Sequence, residues 1–144
     1  MLRIPVLSLA FVLWIAPTAA GQNCHLEGAW EVVSLKTTQP DGTVSISEIG
    51  DPPGLKILSK RHFIFVEQNH EGPVPTSGGG GSYVTNDTTF IETVQYHAAR
   101  SFIGMELPFH CKVEDDHWYQ SGYLPGGTYL EQVYRRLESH EMDQ

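Results

Sequence analysis

Short runs of alternating apolar and polar residues, separated by turn-forming residues, follow one another from Gly28 to Leu137. A period of two places successive side chains on opposite faces of a β-strand, and clusters of Gly, Pro, Asn and Asp are typical of turns. The pattern predicts about eight to nine short strands. Their expected bounds are 28–37, 43–49, 55–58, 61–68, 83–85, 88–97, 104–114, 117–124 and 128–137.

Strands of this number and spacing, with no amphipathic helix between them, favour an all-β fold. We expect an antiparallel up-and-down β-barrel of about eight strands, whose interior is just wide enough for one small ligand. Residues 69–82 interrupt the strand pattern with two prolines and the run Gly78-Gly79-Gly80-Gly81. Because strand-like residues follow the glycines rather than a helix, a flexible loop at the barrel mouth is favoured over a phosphate-binding loop.

The first residues are typical of a secretory signal peptide. Arg3 precedes the apolar run 7–15, and small residues follow at 17–20. We therefore expect a signal peptide at 1–20, a barrel domain at 21–137, and a flexible acidic tail at 138–144. The protein is predicted to be secreted or periplasmic, with an uncleaved membrane anchor as the alternative.

Charge and cysteine content narrow the possible partners. The chain carries 9 Lys and Arg against 17 Asp and Glu, a formal charge of −8. Nucleic acids and anionic membranes require a basic surface, so neither is an expected partner. The two cysteines, Cys24 and Cys111, are expected to form one disulfide in an oxidising compartment; a reactive thiol is the alternative.

Three strand faces have the composition of a cavity wall, with aromatic or apolar side chains and one or two polar groups. On this basis Glu92, Gln120, Glu131 and Arg135 are expected to point into the barrel. The face that carries His97 is more polar and is assigned to the outside. Eight side chains are expected to contact a ligand: Phe63, Phe65, Tyr83, Phe90, Phe109, Trp118, Gln120 and Tyr129.

The buried carboxylates allow two interpretations. They form an internal ion-pair network with Arg135, or they act on a ligand as a polar anchor or a general acid and base. In an enzyme, Glu92 or Glu131 would exchange a proton, and Tyr96 or Arg135 would stabilise negative charge. No nucleophile elbow, cofactor motif or metal-binding spacing is present, although His97 and His110 lie on predicted strands. We expect neither a cofactor nor a metal.

Several segments of the chain resemble a known group. Gly28-Ala29-Trp30 is similar to the G-x-W signature that opens the first strand of lipocalins and their calycin relatives. Residues 117–125 and 128–136 resemble the C-terminal hairpin of small bacterial lipocalin-like domains, mostly of unknown function, and 90–96 resembles their middle strands. The resemblance implies a structural contact between Trp30 and either Arg135 or Arg136 at the closed end of the barrel. The chain is shorter than typical lipocalins and lacks their C-terminal helix.

Two functions therefore remain open. The first is a secreted protein that binds a small hydrophobic molecule in its barrel. The second is a cofactor-free isomerase, cyclase or lyase that acts on an apolar metabolite in the same cavity, an expectation that rests on fold analogy. A third possibility is a protein that acts through the predicted loop at 69–82.

Overall fold

The structure, a computed structural model, describes residues 24–68 and 74–137, so the expected signal peptide and tail lie outside the described residues. Among the described residues no helix is long and apolar enough to cross a membrane. A single 3₁₀ turn spans Arg100–Phe102. The strands are β1 (Gly28–Thr38), β2 (Val44–Ile46), β3 (Leu55–Leu58), β4 (His62–Glu67), β5 (Ser77–Thr85), β6 (Thr89–His97), β7 (Glu106–Glu114), β8 (His117–Tyr123) and β9 (Tyr129–Arg136).

The sheet closes into a barrel because β1 pairs with two neighbours. From β3 onward each strand pairs antiparallel with the next, β9 pairs with β1, and β1 pairs with β3. Eight strands therefore form a closed ring, and the predicted up-and-down β-barrel is confirmed. The short strand β2 lies outside this ring and pairs only with residues 36–38 of β1.

A β-bulge in β1 changes which side chains face the interior. The pairing with β9 shifts between Val32 and Ser34, so one residue of β1 has no partner opposite. Alternation along β1 is therefore interrupted after Val32. Leu35, not Ser34, packs against the core after the bulge.

The glycine run forms part of strand β5. Residues 77–82 pair with β4, and residues 79–85 pair with β6. The expected flexible loop at 69–82 is thus wrong from Ser77 onward, while 69–73 lie outside the described residues. Gly79 shows the physical reason: a Cβ at this position would lie 2.9 Å from the Phe65 ring and 2.6 Å from the Tyr96 carbonyl oxygen. Glycine here permits close packing of neighbouring strands.

The chain leading into β1 closes one end of the barrel. The Trp30 indole nitrogen donates to the Leu26 carbonyl oxygen at 2.8 Å, and the Arg136 guanidinium lies over the same indole, 4.0 Å from its ring centroid. Arg136 Nη1 also donates to the Glu27 carbonyl oxygen at 2.7 Å. Of the two arginines that the resemblance allowed, Arg136 makes the contact with Trp30.

A disulfide anchors the same segment to the barrel wall. Cys24 and Cys111 are bonded, as predicted, and both are buried. Cys111 lies on β7, and its neighbours Leu107 and Phe109 face the interior from the same strand, as the alternating pattern predicted. The bond therefore joins the N-terminal segment to the packed interior.

Aromatic rings fill the closed half of the barrel. Trp118 lies at its centre, with its ring centroid 5.6 Å from Trp30, 5.3 Å from Phe90 and 4.6 Å from Tyr134. Phe63 packs edge-on against Phe90 at 6.4 Å. Because aromatic side chains fill this half, the open space inside the described barrel lies in the other half.

Candidate functional site

A cavity of about 380 Å³ occupies the half of the barrel opposite Trp30. The strand ends that surround it carry Thr37, Glu67, Ser77 and His97, and we call this end the mouth. Its walls are mainly apolar. The wall residues include Val32, Leu35, Phe65, Val94, Leu107 and Leu130.

Five polar side chains form the floor of the cavity, where it meets the aromatic core. Lys56 Nζ pairs with Glu92 Oε1 and lies 3.4 Å from Gln120 Oε1. Gln120 Nε2 lies 3.4 Å from Gln132 Oε1, which also accepts a hydrogen bond from the Tyr134 hydroxyl at 3.0 Å. The floor is thus one connected polar network, contributed by β3, β6, β8 and β9.

Aromatic rings surround the Lys56 ammonium. Its nitrogen lies 5.0 Å from the ring centroid of Phe90, 5.1 Å from that of Trp118 and 5.2 Å from that of Phe63. Cations are attracted to the faces of such rings, most strongly where water is excluded. Lys56 is only 3% exposed, so the rings and Glu92 together replace its hydration shell.

Tyr134 is a hydrogen-bond donor in this network at all ordinary pH values. Burial, and then the negative charges of Glu92 and Glu67, raise the pKa of the Tyr134 hydroxyl well above its usual value of 10.0. The proton therefore stays on the phenol oxygen, which donates to Gln132.

Glu67 and His97 stand at the mouth. Glu67 is exposed at the surface, but partial desolvation of its carboxyl group at the mouth raises its pKa from the usual 4.5, while the charges of His97 and Lys56 act in the opposite direction. The His97 ring stacks on Phe102 with centroids 4.4 Å apart. Its Nδ1 accepts a hydrogen bond from the Ala99 backbone N–H at 2.9 Å, which fixes the orientation of the ring.

A second β-bulge explains why His97, rather than Tyr96, faces the cavity. Gly81 pairs with Val94, but Gly80 pairs with Tyr96, so Gln95 has no partner on β5. The strand faces exchange at this point. Tyr96 is 71% exposed, and His97 lines the cavity. The expected inward position of Tyr96 and outward position of His97 are therefore both wrong.

Strand β9 presents the opposite face from the one expected. Leu130, Gln132 and Tyr134 are buried in the interior. Glu131 instead pairs with Lys36 at 2.7 Å on the outside, and Arg135 is exposed and pairs with Glu31. Both faces of this strand mix aromatic and polar residues, so alternation alone gives no direction. The predicted inward placement of Glu131 and Arg135 is wrong.

Of the residues expected to contact a ligand, only three line the cavity: Phe65, Phe109 and Gln120. Phe63, Phe90 and Trp118 lie below the floor in the aromatic core. Two tyrosines are also elsewhere. The Tyr83 hydroxyl donates to the Ser59 carbonyl oxygen at 2.6 Å, and Tyr129 packs against Tyr123 on the outside at 4.9 Å.

Lys56 is a cavity side chain that the sequence interpretation missed, as it also missed Glu67, Gln132 and Tyr134. A signal was present: a hairpin across residues 59–60 places Lys56 opposite Phe65 and Leu58 opposite Phe63, as the structure shows. If Phe63 and Phe65 face inward, so must Lys56. Among the described residues, no three His, Cys, Asp or Glu side chains are grouped to hold a metal ion.

The fold resembles a solved β-barrel. A redesigned beta barrel is similar, with a TM-score of 0.51 and 18% identity over 78% of this chain and 92% of its own. An uncharacterized protein from Bacteroides eggerthii has a TM-score of 0.48 and 16% identity over 77% of this chain and 98% of its own. No family model and no curated protein matches the sequence. The likeness to the redesigned barrel concerns the fold alone.

Proposed function

We propose that the protein binds one small, largely apolar molecule in the cavity between the mouth and the polar floor. The observation that carries this proposal is the form of the interior. The closed half is packed with aromatic rings, whereas the other half holds about 380 Å³ of space with apolar walls. Ligand pockets are typically about 300–1,000 Å³, mostly apolar, with a few polar groups that fix orientation.

We also propose that the chain is an exported, lipocalin-like protein. The Arg136 contact with Trp30 supports the family assignment because it has the place that the resemblance implies. The bond between Cys24 and Cys111 supports export, since disulfides persist mainly in oxidising compartments. Detection of the mature protein outside the cytoplasm, beginning near residue 21, would test this assignment.

The enzymatic alternative has less support from the site. Of the four residues expected to act in catalysis, only Glu92 lines the cavity. Glu92 is already in direct contact with Lys56, so its carboxylate is not presented to a ligand as an unpaired group. Glu131, Tyr96 and Arg135 all lie on the outer surface. Binding is therefore the function that the geometry supports best.

A displacement assay tests the proposal. An environment-sensitive apolar fluorophore is expected to bind with one site per chain and to be displaced by small apolar molecules. Leu107→Trp places a larger side chain in the cavity wall and should reduce probe binding by about tenfold or more. Val84→Trp adds the same side chain at a position that is 64% exposed and should leave probe binding unchanged.

Near-UV circular dichroism of both variants establishes that each is folded. Equal probe binding by folded Leu107→Trp and Val84→Trp would show that the probe binds elsewhere, and the proposal would then fail. Native mass spectrometry of protein purified from its own source is the complementary experiment. A bound molecule that disappears in the Leu107→Trp variant is the expected result.

A further inference from the structure

We infer that the ligand presents an uncharged hydroxyl, carbonyl or amide group to the floor, and that Glu92 sets this preference by neutralising Lys56. The inference rests on the proposed function of the cavity as a binding site. It assigns a role to Lys56 and Glu92 that is distinct from catalysis, namely discrimination between neutral and charged ligands.

Among the described residues that line the cavity, none contributes an unpaired fixed cation. The charged or titratable side chains that line it are Lys56, Glu67, Glu92, His97 and Tyr134. Glu92 neutralises Lys56 by direct contact. The His97 Nδ1 accepts a hydrogen bond from the Ala99 backbone N–H, and Tyr134 keeps its proton. What remains is the carboxyl group of Glu67 at the mouth, which repels anions whenever it is ionised.

A ligand carboxylate would have to take Lys56 away from Glu92. Glu92 is 5% exposed, so it would remain as a buried anion without a partner. An uncompensated buried charge is strongly unfavourable, and a second anion close by would add repulsion. A ligand ammonium meets the opposite obstacle, because Lys56 already occupies Glu92 and lies among the aromatic rings.

A neutral oxygen has a donor available without breaking the pair. Gln132 Oε1 accepts from both Tyr134 and Gln120, but among residues 24–68 and 74–137 nothing accepts a hydrogen bond from Gln132 Nε2. Gln132 lines the cavity. A hydroxyl or carbonyl oxygen of the ligand can therefore accept from this amide while the Lys56–Glu92 pair stays intact.

Three amphiphiles with the same alkyl chain test the inference at neutral pH: decanol below its solubility limit, and decanoate and decylamine below their micellar concentrations. Displacement of the fluorophore gives the ratio of decanoate to decanol dissociation constants. Because ions also partition less readily into apolar sites, the informative quantity is the change in this ratio between variants.

Glu92→Gln keeps the side-chain shape and leaves Lys56 without its counter-charge. This variant should improve decanoate binding relative to decanol by about tenfold or more compared with the wild type. The matched control Lys56→Met/Glu92→Gln removes both charges and should retain the wild-type preference for decanol. If Glu92→Gln alone does not fold, the double variant still tests the inference. A marked gain in decanoate binding relative to decanol in this neutral variant would contradict it.

The outcomes separate the two proposals. If no fluorophore binds to the wild type, both fail. If the fluorophore binds but the wild type takes decanoate or decylamine as tightly as decanol, binding stands and the neutral-ligand inference is overturned. An unchanged ratio in folded Glu92→Gln overturns it equally.

Discussion

The guanidinium of Arg136 covers the indole of Trp30, with its central carbon 4.0 Å from the ring centroid. The two residues belong to the first and last strands of the barrel, which pair with each other. The same guanidinium reaches the carbonyl oxygen of Glu27. One side chain thus joins the closing strand, the opening strand and the segment that covers the end of the barrel.

Arg136→Ala is expected to destabilise the fold by about 1–3 kcal/mol. It removes a cation–π contact worth about 0.5–2 kcal/mol and a hydrogen bond worth about 1 kcal/mol. Arg135→Ala is the matched control, because the neighbouring arginine is exposed and should contribute little. Urea unfolding with unchanged m-values measures both effects. Equal stability losses in the two variants would contradict the role given to Arg136.

Gly79→Ala should destabilise the barrel by about 1–3 kcal/mol, as expected for overpacking. The added methyl group would lie 2.6 Å from the Tyr96 carbonyl oxygen, which belongs to the backbone and cannot move without disturbing β6. Gly78→Ala is a control on the adjacent residue, where the nearest atom is 3.1 Å away. Thermal and urea unfolding should show that Gly79→Ala is less stable than Gly78→Ala. The reverse order would mean that the glycines serve flexibility rather than packing.

The strands with unbroken alternation were predictable from the sequence. On β7 every second residue from Leu107 to Cys111 is buried, and the pattern indicated this directly. Bulges remove that information. After Gln95 the inner face shifts by one residue, and nothing in the local sequence marks the position. The residues that face inward were therefore predictable only as far as the bulge. Residues after the bulge were assigned to the wrong face of the strand.

The sequence predicted the kinds of residues that form the cavity better than it predicted which residues line it. Glu92 and Gln120 were correctly placed inside, because apolar neighbours on their strands fix the face. Lys56 was missed because a lysine in a strand of four residues looks like a solvent-exposed position. Its partners come from β6 and β8, which are distant in sequence. These strands meet Lys56 only because the barrel closes, so the ion pair could be identified only from the structure.

Lys56→Met should cost about 3–5 kcal/mol of stability, because it leaves the buried Glu92 carboxylate without a counter-charge. The double variant Lys56→Met/Glu92→Leu removes the second charge as well and should recover most of this loss. Urea unfolding of the wild type and the single and double variants gives the coupling energy between the two residues. Additive losses, with no recovery in the double variant, would show that the two side chains do not interact.

Glu67 should make the stability depend on pH in a defined direction. Partial desolvation raises its pKa in the folded protein above the usual 4.5, so folding favours the protonated carboxyl. The contribution of Glu67 is therefore most favourable below about pH 4.5 and is lost as the pH rises through the folded-state pKa.

Glu67→Gln, which cannot ionise, should be more stable than the wild type at neutral pH. This difference should vanish on acidification below pH 4.5. Urea midpoints across this range measure it, with Glu106→Gln as the matched substitution at an exposed position. An advantage of Glu67→Gln that grows on acidification would reverse the sign and refute the assignment.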